Sequence, residues 1–236
     1  MYPAYAESTP DPRFTDWLRT QAEPTFSRAV DHPFTQELAA GTLEKDAYAT
    51  YLIQDYAFID ALVGTFGHAV GQAPDMPTKR RLVGFLDTLT DEENDYFERS
   101  FAALHVSPAR WMEPDCADTT LALIDLLGRA SDEGGYEETL AVLVAAEWVY
   151  EEWASSVDPN DDLPFYYAEW IDLHANPGFV AFVAWLRSQL DTYGPVLSES
   201  RQSTVAQLFR RTIDLEVDFF DMAYPSRDAV PEELYV

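Results

Sequence analysis

The chain has 236 residues, of which 47% are hydrophobic, enough to bury a real core and to set an expectation of one or two domains. Its 15 Lys and Arg stand against 42 Asp and Glu, a formal net charge of −27 at pH 7. A field of that sign repels phosphate backbones and anionic lipid surfaces, so nucleic acids, membranes and polyanionic substrates are poor partners, and neutral or cationic small molecules remain.

Apolar residues recur at helical spacing through most of the chain, and no Asn-Gly or Asp-Gly signal separates alternating runs, so the predicted fold class is all-α. In chain order the spacing predicts helices over 10–40 with a break near Pro24, then 44–71, 77–104, 117–130, 136–156, 164–174, 177–192 and 200–223. Gly41, Gly134-Gly135, Pro177-Gly178 and Gly194-Pro195 supply the stops. Ser156 to Pro164 reads as an acidic turn-rich loop. No break has the length or composition of an interdomain linker, and no repeat or low-complexity tract is visible, so residues 1–236 are expected to form a single helical bundle with a loosely packed tail at about 225–236.

The start Met1-Tyr2-Pro3-Ala4 lacks the charged and apolar regions of a signal peptide, and the lone Cys116 has no intramolecular disulfide partner; the expected compartment is the cytoplasm. The longest apolar run, Phe179 to Leu186, is far shorter than the roughly 18 residues that a spanning helix needs. Lysine occurs only at Lys45 and Lys79, every other cation being arginine. This balance resembles proteins that work in molar salt, where the Debye length shrinks to about 3 Å and self-repulsion is screened. Most of the acids are therefore expected to form a solvated surface without catalytic meaning.

Three acids fall elsewhere. The stripe Tyr48, Tyr51, Leu52 continues through Asp55 to Phe58, Ile59 and Leu62. Leu140, Leu143 and Val144 are followed at helical spacing by Glu147 and Tyr150. Val205, Leu208, Phe209 and Thr212 lead to Glu216, Phe219, Phe220 and Ala223. An ionised carboxylate is costly to bury without a partner, so each of the three calls for a backbone, arginine or tyrosine bond that merely fixes register, or for a functional pocket. Three together, each flanked by aromatics, point to a polar pocket with ring-shaped walls between helices.

Other chemistries lack their residues. A di-iron bundle needs Glu-x-x-His, yet Glu147 and Glu216 are followed at i+3 by Tyr150 and Phe219. His32, His68, His105 and His174 have no metal-ligand spacing, so no metal is expected. His32, before Pro33, reads as a cap or turn residue, and His68 as a solvated or hydrogen-bonded one. Cys116 sits in the loop Trp111 to Cys116 with no histidine beside it and reads as a small half-buried residue. A phosphate cradle, a nucleophile elbow and a dinucleotide fingerprint are all missing.

His32-Pro33-Phe34, Glu37-Leu38, Gly41-Thr42-Leu43 and Tyr51 to Tyr56 together resemble the opening of the TenA (thiaminase II) family. Ala146 to Glu152 is similar to its central active-site helix, and Leu215 to Tyr224 to its closing helix, in the right order over nearly the whole chain. The resemblance implies a haem-oxygenase-like helical bundle that holds no haem or other cofactor. It implies hydrolysis of an aminomethylpyrimidine derived from thiamin, or of its N-formyl form, to the hydroxymethylpyrimidine. Ala146 occupies the place of the nucleophilic cysteine of one subclass, and the neighbouring Glu147 is similar to the cysteine-free, glutamate-type subclass. Thiaminase cleavage is accordingly not expected.

By the same resemblance Asp55 grips the aminopyrimidine edge, Tyr150 positions the substrate, Phe58 and Phe219 wall the ring, Glu216 donates and accepts the proton, and Glu147 activates or orients water. His174 falls near a pocket tyrosine of the cysteine subclass and receives no catalytic role. The family also implies a homo-oligomer, a dimer or tetramer. A pyrimidine-binding or regulatory protein without turnover is the alternative, ahead of a cofactor-dependent oxidase on the same architecture.

Overall fold

In the computed structural model, which describes residues 1–158 and 160–224, the described residues form thirteen α-helices and one 3-10 turn, with no strand. The helices are α1 (Tyr2–Ser8), α2 (Phe14–Ala22), α3 (Thr25–Val30), α4 (Pro33–Ala40), α5 (Lys45–Gln72), α6 (Met76–Thr90), α7 (Glu92–Ala103), α8 (Pro108–Met112), α9 (Asp118–Asp132), α10 (Tyr136–Ser155), α11 (Phe165–Ala175), α12 (Pro177–Tyr193) and α13 (Glu199–Met222), the turn being Gly194–Val196. The expected tail at about 225–236 lies outside the described residues.

The all-α expectation holds, with corrections to its boundaries. The stretch 10–40 is three helices, broken at Pro24 and again at His32, which precedes Pro33 and is pushed to an extended backbone by the proline ring. His32 is indeed a cap: its Nδ1 accepts the Phe34 amide at 3.2 Å. The expected helix 77–104 is two, α6 and α7, meeting at Asp91. There the Thr90 hydroxyl donates back to the Leu86 carbonyl at 2.8 Å, a local competition that bends helices. Two short helices were not anticipated. Of these, α1 is held by the Tyr2 ring against Phe14 and Trp17, a contact no local pattern announces, and α8 covers Trp111 and Met112 of the expected loop.

α10 is the axis of the bundle and packs against α5, α9, α11, α12 and α13. Sixteen of its residues are buried, so it is apolar on every side, as an internal helix must be. Its start is set by Gly135, whose amide donates to Glu138 Oε2 at 3.0 Å, while Arg201 of α13 donates to both Glu138 oxygens, at 2.9 and 2.6 Å. α10 and α13 are thus locked in register at one end. α4 ends at Gly41, whose φ of +71° is the left-handed conformation that favours glycine. This arrangement brings Asp55 of α5, Glu147 of α10 and Glu216 of α13 into one core.

Candidate active site

A small cavity lies inside the bundle, lined by Asp55, Phe58, Ile59 and Leu62 of α5, Leu89 of α6, Glu93 of α7, Ala146, Glu147 and Tyr150 of α10, and Trp170 and His174 of α11. Asp55, Glu93, Glu147 and Glu216 are all buried, each from a different helix. Asp55 Oδ2, Glu147 Oε1 and Glu216 Oε1 have no hydrogen-bond partner among the described residues, and no arginine, lysine or histidine there forms an ion pair with any of the four. A register-fixing polar network would have satisfied these atoms. Left open, they are suited to a ligand.

Burial dominates the electrostatics. It pushes Glu93 and Glu216 up to about 8. Asp55 and Glu147 are driven well above the ordinary carboxylate range, first by burial and then by the charges of Glu93 and Glu216, with Asp55 adding to the effect on Glu147. The site therefore holds protons at neutral pH that isolated carboxyls would have lost. Tyr150 and Tyr51 share a hydrogen bond of 2.8 Å between their hydroxyls. His174 Nδ1 lies 2.9 Å from the Trp170 carbonyl, which can only accept, so Nδ1 carries the proton and Nε2 keeps its lone pair. Burial lowers the His174 pKa to about 4, and the ring is neutral at pH 7.

The residues singled out in the sequence are distributed as follows. Asp55, Phe58, Glu147 and Tyr150 line the cavity, with Ala146 beside them. Glu216 and Phe219 do not line it. Glu216 is 1% exposed and acts on Asp55, Glu147 and Tyr150 through its charge. Phe219 packs against Phe58 and Tyr51, with ring centroids 6.2 and 5.6 Å apart. Cys116 is half-buried, and its Sγ meets only the Pro114 carbonyl, at 3.8 Å. His68 is about half exposed near Asp132. No group of three or more His, Cys, Asp or Glu among the described residues is arranged to hold a metal.

Glu93 is the residue missed. The stripe Leu82, Phe85, Leu89 reaches it at i+4 and resumes at Tyr96 and Phe97, the same interruption that marked the other three acids. Its neighbours Asp91, Glu92 and Asp95 disguise it as part of a solvated acidic turn.

The fold and the site define an internal, carboxyl-lined pocket in an all-α bundle, an architecture found in solved proteins. A protein from Silicibacter sp. TM1040 described as a TenA family transcription regulator superposes with a TM-score of 0.81 and 25% identity, over 92% of this chain and 98% of that one. A domain of unknown function with a heme oxygenase-like fold, from Shewanella denitrificans, superposes with a TM-score of 0.65 at 17% identity, over 91% and 93%. The aminopyrimidine aminohydrolase of Halalkalibacterium halodurans is 27% identical over 217 residues, which cover 91% of this chain and 96% of that enzyme. Residues 19–226 match the TENA/THI-4/PQQC family, and the chain belongs to it.

Proposed function

We propose that the protein is an aminopyrimidine aminohydrolase of the cysteine-free kind, converting an aminomethylpyrimidine and water to the hydroxymethylpyrimidine and ammonia. The observation that carries the reading is the pair Ala146–Glu147: where a thiol nucleophile would stand there is a methyl group, and beside it on the cavity wall is a carboxyl with an unpartnered oxygen. The substrate class is supported by the likeness to the Halalkalibacterium aminopyrimidine aminohydrolase.

Asp55, with its raised pKa, suits a bidentate grip on an aminopyrimidine edge: its acid hydroxyl donates to a ring nitrogen and its other oxygen accepts from the exocyclic amine. Phe58 faces the ring, and Tyr150, fixed by Tyr51, orients it. Glu147 acts in its ionised form, which its raised pKa makes the minor form at neutral pH but a strong base: it takes a proton from the attacking water as the water oxygen bonds to the methylene carbon and the carbon–nitrogen bond breaks. Glu216, buried and holding its proton up to about pH 8, keeps the site supplied with the proton that leaves with the amine. An N-formyl substrate needs the same groups and a larger pocket. The protein acts in the cytoplasm as a dimer or tetramer; no described helix is long and apolar enough to cross a membrane.

The test is release of ammonia and hydroxymethylpyrimidine by wild type, Glu147→Gln and Glu216→Gln in molar potassium chloride. Each variant is expected to lose about 10²–10⁴-fold in turnover, the usual contribution of a positioned acid or base. Full activity in Glu147→Gln removes that residue from the mechanism. Tight binding of the aminopyrimidine by a folded wild type without turnover replaces the enzyme by a pyrimidine-binding protein.

A further inference from the structure

Outside the cavity an open cleft of about 410 Å³ lies between α6 and the α11–α12 corner, with Arg81, Gly84, Thr88 and Phe179 among its walls. Glu93 and His174 border both the inner cavity and this cleft. We propose that Glu93 and His174 form the doorway to the site, and that Glu93 docks the primary ammonium of the incoming substrate and so selects a charged amine over a neutral amide or alcohol, an assignment that rests on the aminohydrolase reading above.

The doorway carboxyl lacks a protein partner. Glu93 is 7% exposed, yet it forms no side-chain hydrogen bond or ion pair with the described residues, and Leu89, Phe85 and Phe179 stand beside it along the two cavities. Burial favours its protonated form, and an ammonium docked beside it supplies the counter-charge that the ionised form otherwise lacks. Arg81, the cation of the outer cleft, is directed to α12, donating to the Ala181 carbonyl at 2.9 Å and lying over Trp185 at 4.9 Å. The other charged groups facing the route are acids: Glu92 on the outside, and Asp55 and Glu147 within. His174 completes the frame, because its neutral ring does not repel a cation and Nε2 can accept an N–H.

The test compares wild type with Glu93→Gln, measuring KM for the aminomethylpyrimidine and the inhibition constant of the neutral hydroxymethylpyrimidine. The variant is expected to raise KM tenfold or more, with kcat within threefold and the alcohol's inhibition constant within twofold. Equal shifts in both constants, or an unchanged KM, overturn the assignment. Gly84→Trp examines the passage separately: a Cβ there meets nothing within 4 Å, so the side chain starts in open space, and in a variant whose unfolding midpoint matches wild type kcat/KM is expected to fall tenfold or more. An unchanged kcat/KM refutes this route. If wild type turns nothing over, the aminohydrolase reading fails, and calorimetry with the same two compounds still decides the doorway: a tenfold loss of amine affinity alone in Glu93→Gln sustains it, and parallel behaviour of amine and alcohol ends it.

Discussion

Glu93 and Glu216 titrate near 8 in the folded chain, against an ordinary glutamate value in the unfolded one, so the native state binds more protons between those limits. Stability contributed by these groups is therefore fully present below pH 4.5, falls as the pH rises, and is flat again above about 8, with a slope of roughly 1.4 kcal/mol per pH unit for each group in between. Asp55 and Glu147, also raised, act in the same direction, so thermal unfolding from pH 5 to 9 should show this decline and Glu216→Gln should flatten it in part. An equally steep decline in the variant would mean that Glu216 is not the titrating group. His174 has the opposite dependence. Its folded pKa near 4 lies below the unfolded value, so stability is lost as the pH falls from about 6.5 towards 4. At this scale the sequence was informative to the extent that neighbours allowed. Asp55, Glu147 and Glu216 stood out because apolar residues flank them on the same helix face, whereas Glu93 carries the same interruption inside a run of acids.

At the scale of elements the site depends on helix ends that are fixed by contacts distant in sequence. Gly194 begins the turn between α12 and α13, and a Cβ placed on it would lie 2.3–2.6 Å from three atoms of the Phe14 ring. That ring packs on Tyr2 and Trp17, both at 5.1 Å, and is fully buried, so it has little room to yield. Gly194→Ala is expected to cost about 1–3 kcal/mol, the usual penalty of overpacking, seen as a lower unfolding midpoint in denaturant. A midpoint equal to that of wild type would mean that the turn moves freely. The positions of Gly194 and Pro195 announced a break, but the closeness of α2 to it did not follow from any local pattern. The division at Asp91 is similar: the periodicity of 77–104 continues across it almost in phase, and only the bend shows where α6 ends and the first turn of α7 presents Glu93.

For the whole molecule, the charge of −27 sets the conditions under which the bundle is stable. Arg201, Arg19 and Arg99 each pair with two acids, yet most carboxylates among the described residues form no ion pair. Their repulsion is long-ranged in dilute buffer and is screened within about 3 Å at 1 M salt. Dialysis from molar potassium chloride into dilute buffer is expected to abolish most of the helical circular dichroism signal. Full retention would show that packing of the core alone carries the fold.

Helical periodicity and the absence of hairpin signals were enough to determine an all-α fold and three of the four acids buried without a cation, and the resemblance of motifs in order along the chain pointed to the family. These are properties of local pattern and order, which a sequence carries directly. Tertiary structure alone decided that the four carboxyls meet without an arginine to neutralise them, that Glu216 and Phe219 stand off the cavity wall, and that Glu93 and His174 share a border between inside and outside. Pairing, desolvation and access depend on which helices pack face to face, and that choice is made by contacts between residues far apart in the chain.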